Sequence, residues 1–462
     1  MLQKTFNTDK RFLPDGLLRR MRGWYHFFLA FAAAVWYGFP ARRMTVIGVT
    51  GTKGKTTTVA LIHAVLAAGG HRVASSSSLR FRIGDEEVVN DRKMTMPGRF
   101  FTQRFLSAAR RAGCTHAVLE VTSEGITQFR HRFIRFSMAV MTNIAPEHLE
   151  SHGGYESYLR AKLDLFWRLP HESVAVVNRD DAEHVRFLAA TGARQVLYSV
   201  NTILLRGEEH AVKNLRCSAQ GVSFQVGAQQ FTSSLLGQFN AENILAAVAC
   251  GLSIHSAPEK IATGIRMVDG VPGRMEFIRH DPFAVVVDYA HTPGSLRAAY
   301  STLHSFFSPP VQGTLVAGKA SRLICVLGSA GGGRDQWKRP EFGRIAAEFC
   351  EKIILTDEDP YDEDPERILE AIESGFLATI PAKLRRGRLQ KILDRRAAIK
   401  AAIKLAKKGD TVIITGKGAE SWLMGKNGAR IPWDDRAIVR EVLMACPPVA
   451  KKNRSPRGTP NG

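Results

Sequence analysis

Cysteine is scarce and unpatterned in this 462-residue chain: six residues (Cys114, Cys217, Cys250, Cys325, Cys350 and Cys446) with no CxxC pair. That excludes a zinc site or a disulfide framework and leaves buried thiols as the expectation. Long apolar runs are also missing. The longest, Trp24–Pro40 (WYHFFLAFAAAVWYGFP), sits at the lower edge of the ~17–25 residues that span a bilayer. No small-residue cleavage site follows it, which excludes a secretory signal. No internal repeat is visible. Acidic charge is in deficit, with 43 Asp+Glu against 64 Lys+Arg, a formal net charge of +21.

The excess charge is local. Residues 1–43 carry a net +6, residues 383–410 a net +9 and residues 447–462 a net +4, so the remainder is nearly balanced. A chain-wide nucleic-acid coat is therefore excluded in favour of local patches facing phosphates or anionic lipid. In 383–410, Ile, Leu and Ala spacing suggests an amphipathic helix with a solvated basic face. The 45% hydrophobic and 23% charged content is globular. Residues 1–43 read as a short basic and aromatic helical segment, either docked on the body or lying in a membrane interface with Trp, Tyr and Arg at headgroup level. The Pro/Gly/basic tail 447–462 is expected to be disordered.

Between these ends the chain alternates strands and helices. MTVIGVTG (Met44–Gly51), HAVLEVTS (His116–Ser123), SMAVMTN (Ser137–Asn143) and SVAVVNRDD (Ser173–Asp181) are β-branched apolar runs that each end in a polar loop. After VPGR (Val271–Arg274) the pattern restarts with FAVVVDYAHTP, RLICVLGSAGGGRD, KIILTDEDP and DTVIITGKGAE. The expected fold class is α/β: a central P-loop-type parallel-sheet ATPase domain at 44–272, then a Rossmann-like α/β C-terminal domain at 273–446. Ligands of such sheets bind outside the carboxyl ends of the strands.

At one such end stands Gly51-Thr52-Lys53-Gly54-Lys55-Thr56-Thr57. Glycines let successive N–H groups converge on a phosphate, and the helix N-terminus adds a favourable dipole. Lys55 is expected on the β/γ-phosphates of ATP and Thr56 on Mg²⁺. The usual motif would place glycine at 49, where this chain has Val49. Glu120 closes a buried strand, where a carboxylate is costly unless paired or metal-bound. His148, in TNIAPEHLESHG, follows another strand end; a histidine is an unusual ligand for Mg²⁺, which suggests a second metal position.

GTKGKTTT, EVTSEGI, TNIAPEHLESHGGYESYLRAKLDLF, NRDD, LLGQFNAENILAA, VPGRME, VDYAHTP and GGGRDQWKRP occur in the order and rough spacing of the Mur ligase family, and the chain resembles its MurE type over roughly 44–445. The resemblance implies an ATP-dependent amide ligase that joins a free amino acid to a UDP- or lipid-linked muramyl-peptide precursor through an acyl phosphate. It implies catalytic roles for Lys55, Glu120, His148, Lys162 and Arg274. Lys162, matching a lysine that is carbamylated in relatives, would join Thr56, Glu120 and His148 as a metal ligand. Asn243 would meet adenine, Asp288 the ribose, and His291 would lie beside the nucleotide. Thr95, Thr122, Gln128 and Arg130 would meet the muramyl peptide. Arg334 would take the α-carboxylate of the amino acid, and Gly416 and Glu420 the far end of its side chain.

Relatives that add diaminopimelate carry D-N-P-R where this chain has Glu358-Asp359-Pro360-Tyr361. Loss of that arginine removes a bidentate partner for a distal carboxylate, and Glu358, Asp359 and Glu420 form an acidic set suited to a cationic side chain. MurE enzymes normally begin with a separate domain that holds the UDP-sugar; here about 43 residues precede the P-loop domain, which points to recognition through the peptide and muramyl portions. A monomeric cytoplasmic enzyme is expected, with peripheral contact at the inner membrane face through 19–43 as an open alternative. Competing readings are another ligase of the superfamily (MurT-type or folylpolyglutamate synthetase) and a basic P-loop NTPase acting on nucleic acid; no nucleic acid is expected.

Overall fold

The computed structural model describes residues 15–92, 94–147, 149–307, 321–333 and 335–445. The expected disordered tail, His148 and Arg334 therefore lie outside the described residues. The chain divides into two compact units, Met1–Met275 with Gly333–Gln336, and Glu276–Gly332 with Trp337–Gly462.

The first unit holds twelve strands: β1 (Thr45–Thr50), β2 (Val73–Ser76), β3 (Arg80–Ile83), β4 (Glu86–Val89), β5 (His116–Glu120), β6 (Met138–Met141), β7 (Val174–Asn178), β8 (Arg194–Tyr198), β9 (Thr202–Leu205), β10 (Glu208–Ser218), β11 (Gly221–Val226) and β12 (Gln229–Ser233). Their order in one sheet is β12-β11-β10-β9-β8-β7-β6-β1-β5-β2-β3-β4. The central strands β2, β5, β1, β6, β7 and β8 are parallel, and antiparallel hairpins extend both edges. Strand β1 alternates its side chains between two cores, as a sheet buried on both faces requires. Ile47 and Val49 enter one with Val118, Val140 and Val176. Val46 enters the other with Leu119, Ala139 and Val177.

The helices of this unit that bear on function are α1 (Asp15–Trp36), α2 (Lys55–Ala68), α3 (Arg99–Arg111), α4 (Ser123–Thr127), α5 (Tyr155–Trp167) and α6 (Gln238–Ser253). Helix α1 packs on α3. Among the described residues no helix is long and apolar enough to cross a membrane.

The second unit is a six-stranded sheet, β13 (Glu276–Arg279), β14 (Ala284–Asp288), β15 (Leu323–Leu327), β16 (Lys352–Leu355), β17 (Leu389–Lys391) and β18 (Thr411–Thr415), ordered β13-β14-β18-β15-β16-β17. All pairs are parallel except the antiparallel edge β13. Helices α7 (Lys338–Phe349), α8 (Pro365–Thr379), α9 (Arg395–Leu405) and α10 (Asp435–Ala445) cover it. The basic stretch 383–410 contains α9, whose Ala398, Ile399, Ala402 and Ile403 are buried while Arg396, Lys400 and Lys404 face solvent. Arg395 departs from that pattern: it is buried in a bidentate pair with Asp435 (2.9 and 2.7 Å).

One expectation fails. Cys325 on β15 and Cys350, two residues before β16, form a disulfide with a Cα–Cα distance of 6.1 Å. Parallel neighbours bring the two together across 25 residues of sequence, a spacing that carries no motif. Cys114 and Cys250 are buried free thiols, and Cys217 is half-buried.

Helices α7 and α8 cross where each presents a glycine. A Cβ on Gly343 would lie 1.9 Å from the Ile372 carbonyl oxygen, and one on Gly375 would lie 1.8 Å from that of Pro340. Neither neighbour is a side chain that can swing away. Gly375→Ala is expected to force the helices apart and cost about 1–3 kcal/mol, read as a lower thermal midpoint; an unchanged midpoint would contradict this packing.

Candidate active site

Strand β1 ends at Thr50 and α2 begins at Lys55, so the backbone must reverse within four residues. It does so through Gly51 (φ 145°) and Gly54 (φ 81°). No larger residue fits: a Cβ on Gly51 would lie 2.0 Å from Thr142 Oγ1, and one on Gly54 2.2 Å from Asn243 Oδ1.

The loop is fastened to the segment that follows β6. Thr52 N donates to the Asn143 carbonyl (2.7 Å) and Lys53 N to Asn143 Oδ1 (2.9 Å). Thr142 Oγ1 donates to the Lys53 carbonyl (2.7 Å), and Lys53 Nζ pairs with Glu147 (2.7 Å). From behind, α5 contributes Tyr158, whose hydroxyl meets Thr52 Oγ1 at 2.7 Å, and one turn later Lys162, whose Nζ donates to the Gly51 carbonyl at 2.7 Å. Lys55 Nζ donates to that same carbonyl and to that of Thr52, both at 2.9 Å. Lys162 is 2% exposed. Its burial, reinforced by the Lys55 charge, holds its amine well below the ordinary lysine range.

Thr56 and Glu120 meet at the start of α2, and the Glu120 charge also bears on Lys162. Glu120 Oε2 accepts from Thr56 Oγ1 (3.0 Å) and from Ser78 N (2.9 Å), so this buried carboxylate is hydrogen-bonded as burial demands. A hydroxyl and a carboxylate side by side are the hard oxygen donors that Mg²⁺ prefers. Among the described residues no group of three His, Cys, Asp or Glu side chains surrounds a metal position. Thr57 is buried in the first turn of α2. Asn243 is buried behind Gly54; its Oδ1 accepts from Thr58 Oγ1 (3.2 Å) and its Nδ2 donates to Asn240 (3.0 Å). The charges of Lys55 and Arg274 both bear on Lys53, which places Arg274 at the loop.

A second cluster gathers the residues expected to meet the muramyl peptide. Thr122 caps α4, accepting from Gly125 N at 3.0 Å. Arg130 donates to Gln128 Oε1 (2.7 Å) and to the Met96 carbonyl, next to the half-buried Thr95. Arg99, which no motif singled out, donates to the Gln128 carbonyl at 2.5 Å. The Nε atoms of Arg99 and Arg130 are both buried without a partner. Two guanidiniums with donors to spare suit an anionic ligand.

In the second unit the expected residues stand at the carboxyl ends of β14, β16 and β18. Asp288 Oδ1 accepts from Ala290 N (2.8 Å), and the His291 ring packs on Tyr289 at 4.4 Å. The acidic set differs from expectation because Lys417, unremarked in the sequence, neutralises it. Its Nζ donates to both oxygens of Asp359 (3.0 and 2.9 Å) and to Glu420 Oε2 (2.5 Å). Two of the three carboxylates expected to receive a cationic side chain are thus already engaged. The third, Glu358, is buried against Gly416, where a Cβ would lie 2.3 Å from its Oε2. Burial pushes its carboxyl up to about 7, although Arg395 and Lys417 pull the other way. Arg395 also donates to the carbonyls of Thr415 (2.8 Å) and Asp357 (3.3 Å), fixing the loops that carry Gly416 and Glu358. Tyr361 adopts φ 53° and lies over Gly332, 3.3 Å from where a Cβ would stand.

A glycine loop between a parallel strand and a helix, backed by a hydroxyl–carboxylate pair, defines a P-loop nucleotide-binding protein. Residues 49–251 match the Mur ligase middle domain and residues 273–418 the Mur ligase glutamate ligase domain. The chain belongs to the Mur ligase family and is an ATP-dependent ligase of the peptidoglycan-precursor class. It is 39% identical over 414 residues to a UDP-N-acetylmuramoyl-L-alanyl-D-glutamate--2,6-diaminopimelate ligase of Gloeobacter violaceus, covering 89% of this chain and 79% of the relative. It is 37% identical to a UDP-N-acetylmuramyl-tripeptide synthetase of Roseiflexus sp., with 90% and 81% covered. A solved UDP-N-acetylmuramoyl-L-alanyl-D-glutamate--2,6-diaminopimelate ligase superposes with a TM-score of 0.59 at 30% identity, covering 95% of this chain and 85% of that one. The fold is shared with Mycobacterium tuberculosis folylpolyglutamate synthase complexed with ADP and AMPPCP, at TM-score 0.65, 20% identity, and 84% and 91% coverage.

Glu358 makes stability depend on pH. Its carboxyl lies near 7 when folded against about 4.5 in the open chain, so between those values the folded chain holds a proton that the unfolded chain has lost. Stability is fully present below pH ~4.5 and is lost as pH rises through 7. Glu358→Gln removes this loss. The variant should be more stable than the native chain at pH 8 by on the order of 3 kcal/mol, with the difference closing towards pH 4.5 in denaturant titrations. A pH-independent difference would contradict the assignment.

Proposed function

We propose that this ligase uses ATP to activate the terminal carboxylate of a muramyl peptide and joins it to the amino group of an amino acid other than diaminopimelate. The observation that carries the activation step is the convergence of Lys55, Lys162, Thr56 and Glu120 on one glycine loop.

A carboxylate is a poor electrophile. In the first step one of its oxygens attacks the γ-phosphorus, the bond to the bridging oxygen breaks and ADP leaves, giving an acyl phosphate. The amine then attacks the acyl carbon, phosphate departs with the C–O electron pair, and the nitrogen loses its extra proton to solvent or a nearby base. In this reading the loop amides and Lys55 hold the phosphates, and Arg274 adds positive charge where the migrating phosphoryl group is most anionic. Thr56 and Glu120 would hold Mg²⁺, with His148 at a second position; bound there, the metal supplies charge neutralisation for the phosphates. Asn243, Asp288 and His291 are assigned to the nucleoside, and Arg334 to the α-carboxylate of the incoming amino acid.

The depressed amine of Lys162 supports carbamylation. Only a neutral amine adds to CO₂, forming a carbamate and releasing one proton, and burial supplies that neutral form. The carbamate would turn a cationic side chain into an anionic oxygen ligand.

Arg99, Gln128 and Arg130, with Thr95 and Thr122, would receive the anionic muramyl peptide. In the second unit, Tyr361 occupies the sequence position of the arginine that diaminopimelate-adding relatives carry, so this chain supplies no guanidinium there for a distal carboxylate. The missing guanidinium at 361 supports an acceptor without a second carboxylate.

The test crosses UDP-linked and lipid-linked muramyl peptides with a panel of single amino acids and reads phosphate release. A non-diaminopimelate amino acid is expected to give the highest kcat/KM; diaminopimelate as the best acceptor would overturn that part of the reading. Lys55→Ala should lower ligation by about 10³-fold. Lys162→Ala should lower it by about 100-fold or more, and added acetate or formate should restore part of the loss by replacing the carbamate oxygens. Full activity of either variant would overturn the mechanism.

A further inference from the structure

Helix α1 has its faces the wrong way round for a surface helix, which ordinarily turns large apolar residues inward and charges outward. Its inner face is small: Ala30, Ala33 and Ala34 are buried where α1 packs on α3. Phe27 and the edge of Phe31 anchor it, their rings 5.2 and 5.4 Å from that of Phe133, with Phe31 still 45% exposed. The outer face carries Trp24 (63% exposed), Tyr25, Phe28, Phe31, Val35 and Trp36 (79% exposed). Positions 24, 28, 31 and 35 form one continuous stripe, and residues 23–41 contain no Asp, Glu, Lys or Arg. Scattered exposed apolar residues need no explanation, but a contiguous aromatic stripe marks an interaction surface.

Charge decides what covers it. Arg19, Arg20 and Arg22 precede the stripe in sequence, and exposed Arg42 and Arg43 follow it. Immediately beyond the helix, Arg42, Arg43 and Arg110 line an open cleft of about 500 Å³, with Thr45 and Thr115 among its walls. A second copy docking through this face would bring two segments of net +6 together, whereas anionic headgroups complement them. Tryptophan and tyrosine favour the headgroup level of a bilayer, and guanidinium forks match phosphate. Among the described residues no helix can cross a membrane, so a helix of this kind lies in the interface plane.

We propose that the aromatic face of α1 docks on a bilayer containing anionic phospholipid, with the Arg42–Arg43–Arg110 cleft taking a headgroup phosphate. The proposal is independent of the acceptor and of the ligase chemistry.

The full chain is tested by flotation with phosphatidylglycerol/phosphatidylcholine vesicles and with phosphatidylcholine alone, at low and high salt. Tryptophan fluorescence, light scattering, thermal melting and ATP hydrolysis are read on the same samples. Flotation is expected only with anionic vesicles, weakening at high salt, with a blue shift of tryptophan emission. Trp24→Glu combined with Phe28→Glu should lower the bound fraction at least tenfold, and Arg42→Ala with Arg43→Ala about tenfold, with melting and ATP hydrolysis unchanged. If the double glutamate variant unfolds, Trp36→Glu and the native fluorescence shift carry the test. Three results would overturn the proposal: no flotation of the native chain, flotation that the variants leave undiminished, or a dimer in light scattering that Trp24→Glu with Phe28→Glu dissolves, which would assign the face to a second copy.

Discussion

Two lysine amines, Lys55 and Lys162, donate to a single carbonyl oxygen, that of Gly51, at 2.9 and 2.7 Å. Two full positive charges that close together, one of them almost without solvent, would be costly. The cost is relieved when the buried one gives up its proton, which is the direction in which burial and the Lys55 charge drive it. Much of the first unit serves this arrangement. Parallel strands bring β1, β5 and β6 to a common edge, the two glycines permit the reversal, and Thr142, Asn143 and Tyr158 hold the loop from three sides. A loop fixed in this way is preorganised for phosphate and needs little rearrangement to hold it.

The second unit repeats the theme with opposite charge. Lys417 sits among Asp359 and Glu420, while Arg395 sits with Asp435 and holds the loops after β16 and β18. Buried pairs of this kind are weak sources of stability but fix the geometry of what they touch. Glu358 is fully buried, and that burial raises its pKa although Arg395, Lys417 and Lys338 pull it down. The cluster of Glu358, Asp359 and Glu420 is therefore less acidic than its carboxylate count implies.

How much of this was legible in the sequence follows from the range of each interaction. The strands announced themselves because parallel, doubly buried strands are near-continuous apolar runs, and the phosphate loop because glycine and lysine spacing there is dictated locally. Thr56 and Glu120 were separately recognisable as polar residues at strand or helix ends. Their 3.0 Å contact was not, since it joins residues 64 apart. Asn143, Tyr158, Arg99, Lys417 and Arg395 were passed over because a polar residue after a strand, or a lysine beside a glutamate, is usually solvated. The disulfide was missed for the same reason: only sheet order brings Cys325 and Cys350 together. Composition showed that α1 is aromatic but not which residues face outward, because the choice of alanine for the buried face depends on how closely α3 approaches.

The central claim is that phosphoryl transfer at the Gly51–Thr57 loop makes a carboxylate reactive towards an amine. It is tested most directly by labelling the terminal carboxylate of the muramyl peptide with ¹⁸O and following the label through one turnover by mass spectrometry. The account predicts that one ¹⁸O atom appears in the inorganic phosphate released with each amide bond formed. Amide formation with no label in phosphate would contradict it.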